Sequence, residues 1–599
     1  ASGLWLKLGF APLAMLAIVV LFTRKNRKEL RWLFVIFTAF SLFPVFGYIF
    51  SGFSNVNNRW GYIYVVIVSF ILAESLDKMR DLSGKELGIM TAITGLYGLV
   101  NAFSDKLFVP SIYGAFGLLA ATLIMLFLLN SDKITFSKKQ FRGIVLGMTA
   151  LVIFLNAKWF ITSGDDSYTH LDTYVSAGDS KKKISGTALK HLDEVPGADT
   201  DEFYRSTNLV TTGNLRSSSL LYGYNDVSTF SSTLNGGIVN YNNAMGNCRW
   251  NIVSIYDYNF RTYLNTLASV KYMGVAKKNT ATIPYGYKKV QETKNKYYSI
   301  YENQYSLPLG YTYDKIVNAD RIDQYSAAEK QETTMLAAIV EDKDMDKNSN
   351  LTVATKLPLT AQKLKIKNIK LNGVSMTKDT IEIEKPGATM KFSFEAPANA
   401  ETYLSLVGDI YAEKDAKEHF ITARIKAPGV KYGHKFRIDA YTTGQKEYLF
   451  NLGYREGAVK TCTLKFVGTG TLKYRDLAIY SQTMSNYADR VNALKENSLQ
   501  NAKAEKNTVT GNITVDKDKM LVVTLPYQKG WTAYVDGKKT DIQRVNYQYI
   551  GINLKKGTHD IKLHYQLPGI KLAFMITGCG IIAFVAIIIF NIVRKRRKN

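Results

Sequence analysis

Cysteine is scarce in this chain. Three residues, Cys248, Cys462 and Cys579, are spread over 599 positions. Their spacing fits neither a zinc site nor a redox pair. Cys579 sits in an apolar run and reads as a small buried residue. Cys248 and Cys462 are read as unpaired, because a bridge needs both an oxidising space and close approach. Histidines number six, with no HExxH and no paired spacing, so no transition-metal site is expected. No GxSxG and no P-loop occurs. The glycines of "VGTGTLKYRD" lie between two strands, where they cannot open a phosphate-cradling helix. No nucleic-acid motif, internal repeat or long low-complexity tract is present. Negative charge is also short: 50 Asp and Glu stand against 76 Lys and Arg, a net charge of +26. Such a balance calls for an anionic partner: nucleic acid, phospholipid or an anionic polymer.

What is plentiful is apolar sequence, concentrated at the two ends. A membrane span takes about 20 mostly apolar residues. Seven stretches qualify by composition: Leu4–Phe22, Trp32–Phe50, Tyr62–Leu76, Leu87–Phe103, Leu107–Asn130, Gly143–Ile161 and Ile570–Val593. The third is short, and Pro44 and Gly47 are placed to kink the second. Arg24 to Arg31, Lys78 to Lys85, Lys133 to Arg142 and the tail "RKRRKN" would fall on one side of strictly alternating spans. That side would be cytoplasmic by the positive-inside bias. Ser51–Gly61, Ser104–Lys106 and everything from Thr162 to Gly569 would then face outward, which makes nucleic acid an improbable partner. Ala1 is not Met, and Ala1–Phe22 is a poor signal peptide. The chain is expected to lack its natural N-terminus.

Between the apolar ends the pattern changes twice. Gly164 to about Thr333 is mixed, with strands expected after Arg205, at Lys271–Ala276 and in "KYYSIYENQ". From about Asn350 short alternating runs with Gly, Pro and Asn punctuation predict a β-sandwich. Tyr487–Glu505 is polar and reads as a helix. "WTAYVDGKKTDIQRV" reads as a hairpin turning at Asp536-Gly537, where positive φ is needed. The expected fold is a polytopic α-helical membrane bundle with a large extracytoplasmic mixed α/β and β-sandwich region, closed by a C-terminal transmembrane helix. Its expected parts are a bundle of about six helices over 1–162, a mixed α/β domain over 163–345, and a β-sandwich region over 346–568 with a helix near 487–505. A last span and basic tail occupy 569–599.

Candidate site residues follow from chemistry. Arg59 is the only cationic side chain in "SNVNNRWGY", between two apolar runs. A guanidinium matches phosphate bidentately; an arginine snorkelling beside an interfacial Trp60 explains the pair as well. The Tyr-, Asn- and Asp-rich stretch Leu220–Tyr263 is a candidate sugar surface, because sugars need aromatic faces and amide or carboxylate partners. Half-buried packing of those tyrosines is the plainer reading of any one of them. Arg205, Asp226 and Asp257 are its polar candidates. Asp165-Asp166 reads as a solvated acidic linker, with a general base or a divalent-cation ligand as the functional alternative.

"GFSNVNNRWGYIY", "EFYRSTN", "ASVKYMGV", "YYSIYENQYSLPLGY", "LPYQKGWTAYVDGKK" and "LKKGTHDIKLHYQLPG", in that order, resemble the bacterial membrane protein YfhO family over nearly the whole chain. The resemblance implies a GT-C-type glycosyltransferase in the cytoplasmic membrane of a Gram-positive bacterium. Its expected donor is a polyprenyl-phosphate sugar. Its expected acceptor is an anionic envelope polymer, such as lipoteichoic or wall teichoic acid. It places Asn58, Arg59 and Trp60 at the donor phosphate and Trp531 as a candidate sugar contact, although the Trp531 block also reads as sandwich core and hairpin. Members are longer at the N-terminus, so the catalytic carboxylate is expected before Ala1 and no catalytic residue is assigned here. The cofactor is left open, with a divalent cation as the one candidate. The alternative from another class is a non-catalytic envelope protein whose β-sandwich binds glycan or anionic polymer. A transporter or flippase accessory fits less well, because the apolar runs hold few of the charges that mark a substrate path.

Overall fold

The computed structural model describes residues 12–24, 27–51, 53, 59–103, 110–131, 137–161, 192, 195, 202–209, 217, 219–276, 283–292, 298–411, 420–437 and 444–597. Asn58, Asp165 and Asp166 lie outside these residues. The chain forms two compact units, residues 1–180 and 181–599.

The first unit is helical. Leu16, Ala17, Ile71, Met90 and Leu126 form the buried centre of its core. Arg24 reaches Glu86 at 2.8 Å, and the Ser83 amide and hydroxyl both donate to Glu86 at 2.9 Å. That carboxylate is therefore paired and hydrogen-bonded, as a buried charge must be.

These helices correct the expected fold class: among the described residues no polytopic helical bundle is evident. Among the described residues, Ile570–Arg596 alone is long and apolar enough to cross a membrane as one helix. Tyr62–Ser75 has 14 residues, short of the length of a span. The run Trp32–Phe50 breaks at Pro44 into Lys28–Leu42 and Pro44–Phe50, bent by 96°. Proline has no N–H to continue the helix and pushes the residue before it into extended backbone. Phe43 accordingly has φ −101° and ψ 119°. Helix continuity, which composition does not report, sets the length of these runs.

The second unit is β-rich. Two sheets face each other across one core. One has the order Val374–Met376, Thr380–Ile383, Gly470–Thr483, Ala400–Tyr411, Glu447–Arg455. The other has the order Asn368–Asn372, Thr389–Ser393, Thr461–Val467, Phe420–Ala427, Val430–Arg437. Alternation sends Met390 and Phe392, Ile421, Ala423 and Ile425, and Leu464 and Phe466 into the same cluster. Cys248 and Cys462 are buried in it and free. Cys579, expected to be buried, is exposed on the apolar helix. At the bulge beside Gly408 two backbones come very close: a Cβ there would sit 2.2 Å from the Lys473 carbonyl oxygen.

A seven-stranded sheet has the order Thr352–Val353, Lys315–Asn318, Ala338–Val340, Gln543–Val545, Tyr549–Leu554, Lys519–Pro526, Gly310–Tyr313. Residues 310–353 thus interleave with residues 519–554. Leu521, Val523, Ile550 and Ile552 of this sheet share a core with Val509, Ile513, Ala533, Ile561 and Leu563 of a C-terminal sheet. That five-stranded sheet has the order Gln500–Glu505, Thr508–Val515, Gly557–Tyr565, Trp531–Val535, Lys538–Thr540.

A buried ion pair joins two helices of this unit. Glu332, in the last turn of Ala327–Thr333, is fully buried and paired with Arg490 of Tyr487–Lys495. The Thr360 amide and hydroxyl also donate to it at 2.7 and 2.8 Å, and the Ala361 amide at 2.8 Å. The helix expected over Tyr487–Glu505 stops at Lys495, and Gln500–Glu505 is an edge strand instead. The expected hairpin forms between Trp531–Val535 and Lys538–Thr540. Asp536 and Gly537 take φ of 53° and 76° at its turn.

Candidate functional site

The residues singled out in the sequence fall in separate places. Arg59 opens a short 3-10 turn, Arg59–Gly61, that leads into the helix Tyr62–Ser75. Trp60 is buried, with its ring 5.0 Å from Phe50 and 6.1 Å from Phe37. This aromatic packing fixes the turn, and with it the backbone position of Arg59.

Arg205, Asp226 and Asp257 belong to the second unit, the first two half-buried and Asp257 buried. Arg205 starts the strand Arg205–Leu209, and its guanidinium donates to the Ala268 carbonyl at 3.0 Å and to the Thr524 hydroxyl and carbonyl at 2.9 and 2.7 Å. The Phe203 ring lies 4.9 Å away. Burial pushes the Arg205 pKa down from its ordinary value. Asp257 is buried and held at 3.0 Å by Arg249, and it accepts from the Asn259 amide at 2.7 Å. That bond shapes the backbone that follows, since Asn259 and Phe260 both have positive φ. Asp226 accepts from the Ser228 amide at 2.9 Å, while its second oxygen is buried without a hydrogen bond. In this geometry the three side chains tie loops and strands together.

Asp226 carries a pH dependence. Burial first, and the Asp257 charge after it, push its carboxyl up from 3.8 to about 7. Glu401 is pushed up from 4.5 to about 7, chiefly by burial. Between the unfolded and folded values the native state holds a proton that the unfolded chain has released. Unfolding then releases it, so stability falls as pH rises through that window. Asp226→Asn removes one such group and keeps an oxygen for the Ser228 amide. Relative to the parent, its unfolding free energy is expected to rise between pH 4 and pH 7, by up to about 1.4 kcal/mol per pH unit. Urea unfolding at several pH values reads the difference. A constant difference across the window would rule out this titration.

Trp531 starts the strand Trp531–Val535 and packs at the edge of the C-terminal core, its ring 5.2 Å from Tyr565. Its indole nitrogen is buried without a hydrogen bond.

Sequence reading missed the outer face of the same sheet. A concavity of about 640 Å³ there is lined by Asn501, Thr510, Asn512, Tyr534, Asp560 and Lys562, with Gly511, Gly537 and Ile561. Its volume lies in the range of small-ligand sites. Register explains the grouping. Thr510, Lys562 and Tyr534 stand abreast on three neighbouring strands, and Asn512 faces Asp560 on the next outward rung. Val509, Ile513, Ala533, Ile561 and Leu563 alternate with them and fill the core below. A bulge between Gln500 and Lys503, with Asn501 at φ 51°, bends the edge strand beside the groove. The available signal was the period-2 alternation of "TVTGNITV", "WTAYV" and "THDIKLHY", although strand register was not legible.

The strand Gly557–Tyr565 leaves this sheet and, after four residues, becomes the helix Ile570–Arg596. The helix has no buried residues and ends in Arg594, Lys595 and Arg596. A β-rich body joined so closely to an apolar, basic-ended helix defines a membrane-anchored protein. The chain belongs to the family described as bacterial membrane protein YfhO, whose model matches residues 5–577. The uncharacterized protein YfhO of Bacillus subtilis is 26% identical over 578 residues, covering 92% of this chain and 61% of the relative. The chain therefore spans less than two thirds of that relative's length. Among solved structures, the arabinofuranosyltransferase AftD from Mycobacteria matches 80% of this chain and 62% of its own, at 8% identity and a TM-score of 0.20. CBM35 from Paenibacillus barcinonensis matches 20% of this chain and 97% of its own, at 10% identity and a TM-score of 0.15. Likeness at that level defines neither fold nor activity for this chain. Among the described residues, no group of three His, Cys, Asp or Glu side chains is placed to hold a metal.

Proposed function

We propose that this chain is part of a GT-C-type membrane glycosyltransferase of the cell envelope. It moves a sugar from a polyprenyl-phosphate donor to an envelope polymer, such as lipoteichoic or wall teichoic acid, at the outer face of the cytoplasmic membrane of a Gram-positive bacterium. The family match over residues 5–577, to a bacterial membrane protein, supports the membrane setting of this reading. The basic end of Ile570–Arg596 supports the placement, because positive termini stay in the cytoplasm and leave the preceding β-rich unit outside.

In this reaction an acceptor hydroxyl oxygen bonds to the anomeric carbon of the sugar. The bond from that carbon to the lipid-phosphate oxygen breaks, and the hydroxyl proton passes to a carboxylate. Negative charge gathers on the leaving phosphate. A cationic donor fixed beside that phosphate lowers the barrier. Arg59 has the right chemistry, and Asn58 and Trp60 are proposed beside it at the donor phosphate. Arg205, Asp226, Asp257 and Trp531 are proposed only as supports of the acceptor side, through the strands they hold.

The test is transfer of labelled sugar by the complete protein in liposomes carrying a polyprenyl-phosphate sugar. Arg59→Ala is expected to lower transfer by at least about tenfold. Normal transfer with unchanged donor affinity would remove Arg59 from the site. Absence of transfer from every such donor, with glycan binding retained, would replace the enzyme by an envelope glycan-binding protein.

A further inference from the structure

We infer that the outer groove of the C-terminal sheet is a binding site for neutral pyranose rings of an envelope glycan. Tyr534 lines it and supplies the aromatic face on which C–H groups of a sugar ring stack. Asn512, Thr510 and Asn501 supply amide and hydroxyl groups that both donate and accept, as vicinal sugar hydroxyls do. Asp560 accepts and Lys562 donates.

The lining holds one carboxylate, Asp560, and one ammonium, Lys562, while Lys503 and Lys539 flank it as the register partners of Thr510 and Tyr534. A polyphosphate strand laid along it would meet the Asp560 carboxylate. A neutral, hydroxyl-rich ring meets only complementary groups. The groove is also close to the membrane anchor. Lys562 precedes Ile570 by eight residues, at most about 28 Å of extended chain. A glycan held there lies near the bilayer, where a lipid-linked sugar would be presented. The binding does not rest on the glycosyltransferase reading, whose acceptor is an anionic polymer.

Isothermal titration of the full chain in lipid nanodiscs tests the inference. The probes are maltotetraose, cellotetraose and the β-1,4-linked tetramer of N-acetylglucosamine, with polyglycerol phosphate as the anionic comparison. At least one neutral tetramer is expected to bind. Tyr534→Ala is expected to weaken it by about tenfold or more, and Asn512→Ala by a smaller factor. Tyr534→Phe keeps the stacking face and is expected to retain most of the affinity, which separates stacking from misfolding. Three results would overturn the site: binding of polyglycerol phosphate alone, binding of no tetramer, or equal binding by the parent and Tyr534→Ala. Loss of sugar transfer with tetramer binding intact would count against the enzyme reading alone and leave the groove standing.

Discussion

Replacing Glu332 by leucine is expected to destabilise the β-rich unit by about 3–5 kcal/mol, the usual cost of removing one partner of a buried ion pair. Arg490 is 9% exposed, so water cannot take the place of the lost carboxylate. Its remaining bond, to the Pro358 carbonyl at 2.9 Å, carries no charge. The amides of Thr360 and Ala361 lose their acceptor in the same step. An unsatisfied buried donor costs far more than a hydrogen bond contributes when made. The urea midpoint of the variant should fall well below that of the parent. Adding Arg490→Leu should recover much of the loss, because two apolar groups replace a pair that was costly to bury. A single variant as stable as the parent would show that Arg490 finds another anion or solvent.

Gly408→Ala is expected to cost about 3 kcal/mol, at the upper end for overpacking. One methyl group is enough, because its position is set by the backbone. At 2.2 Å from the Lys473 carbonyl oxygen and 2.6 Å from the Tyr474 Cα, it would meet main chain that no rotamer change can move aside. The strands Ala400–Tyr411 and Gly470–Thr483 must separate there or slip. Hydrogen exchange should therefore rise in those two strands before the rest of the sandwich loses protection. Gly433→Ala is the control: its nearest neighbour would be the Ala423 carbonyl oxygen at 3.8 Å, an ordinary contact. Equal exchange in both variants would mean that the bulge at Gly408 opens easily.

These two sites show where sequence reasoning stops. The turn at Asp536-Gly537 was legible because its cause is local: few residues accept positive φ twice running. The strands at Val270–Ala276 and Tyr298–Asn303 were legible from alternation. The segment after Lys495 was misread as helix, because "LQNAKAE" has no local objection to helix. Its pairing with Thr508–Val515 decided otherwise, and that partner is a tertiary fact. Apolar composition marked the N-terminal runs, and Pro44 marked the kink in the second, although not its size of 96°. Glu332 and Arg490 look like surface charges in sequence, since nothing within three residues announces their burial. Arg205 and Asp257 were chosen for their chemistry, and the structure shows both committed to neighbours. The groove was hidden for the opposite reason. Its residues are ordinary one strand at a time, and only the register across three strands assembles them.

The interleaved seven-stranded sheet has a consequence for how the protein is made. Gly310–Tyr313 pairs with Lys519–Pro526, and Ala338–Val340 with Gln543–Val545. At about 5–20 residues per second, a ribosome needs on the order of 10–40 s to travel from the early strands to their partners. Throughout that interval the first half of the sheet has open edges, which are templates for aggregation. The apolar helix Ile570–Arg596 is synthesised soon after these partner strands. Completion of the sheet and delivery of the anchor therefore nearly coincide, and a nascent chain stalled before residue 519 would be the form most in need of a chaperone.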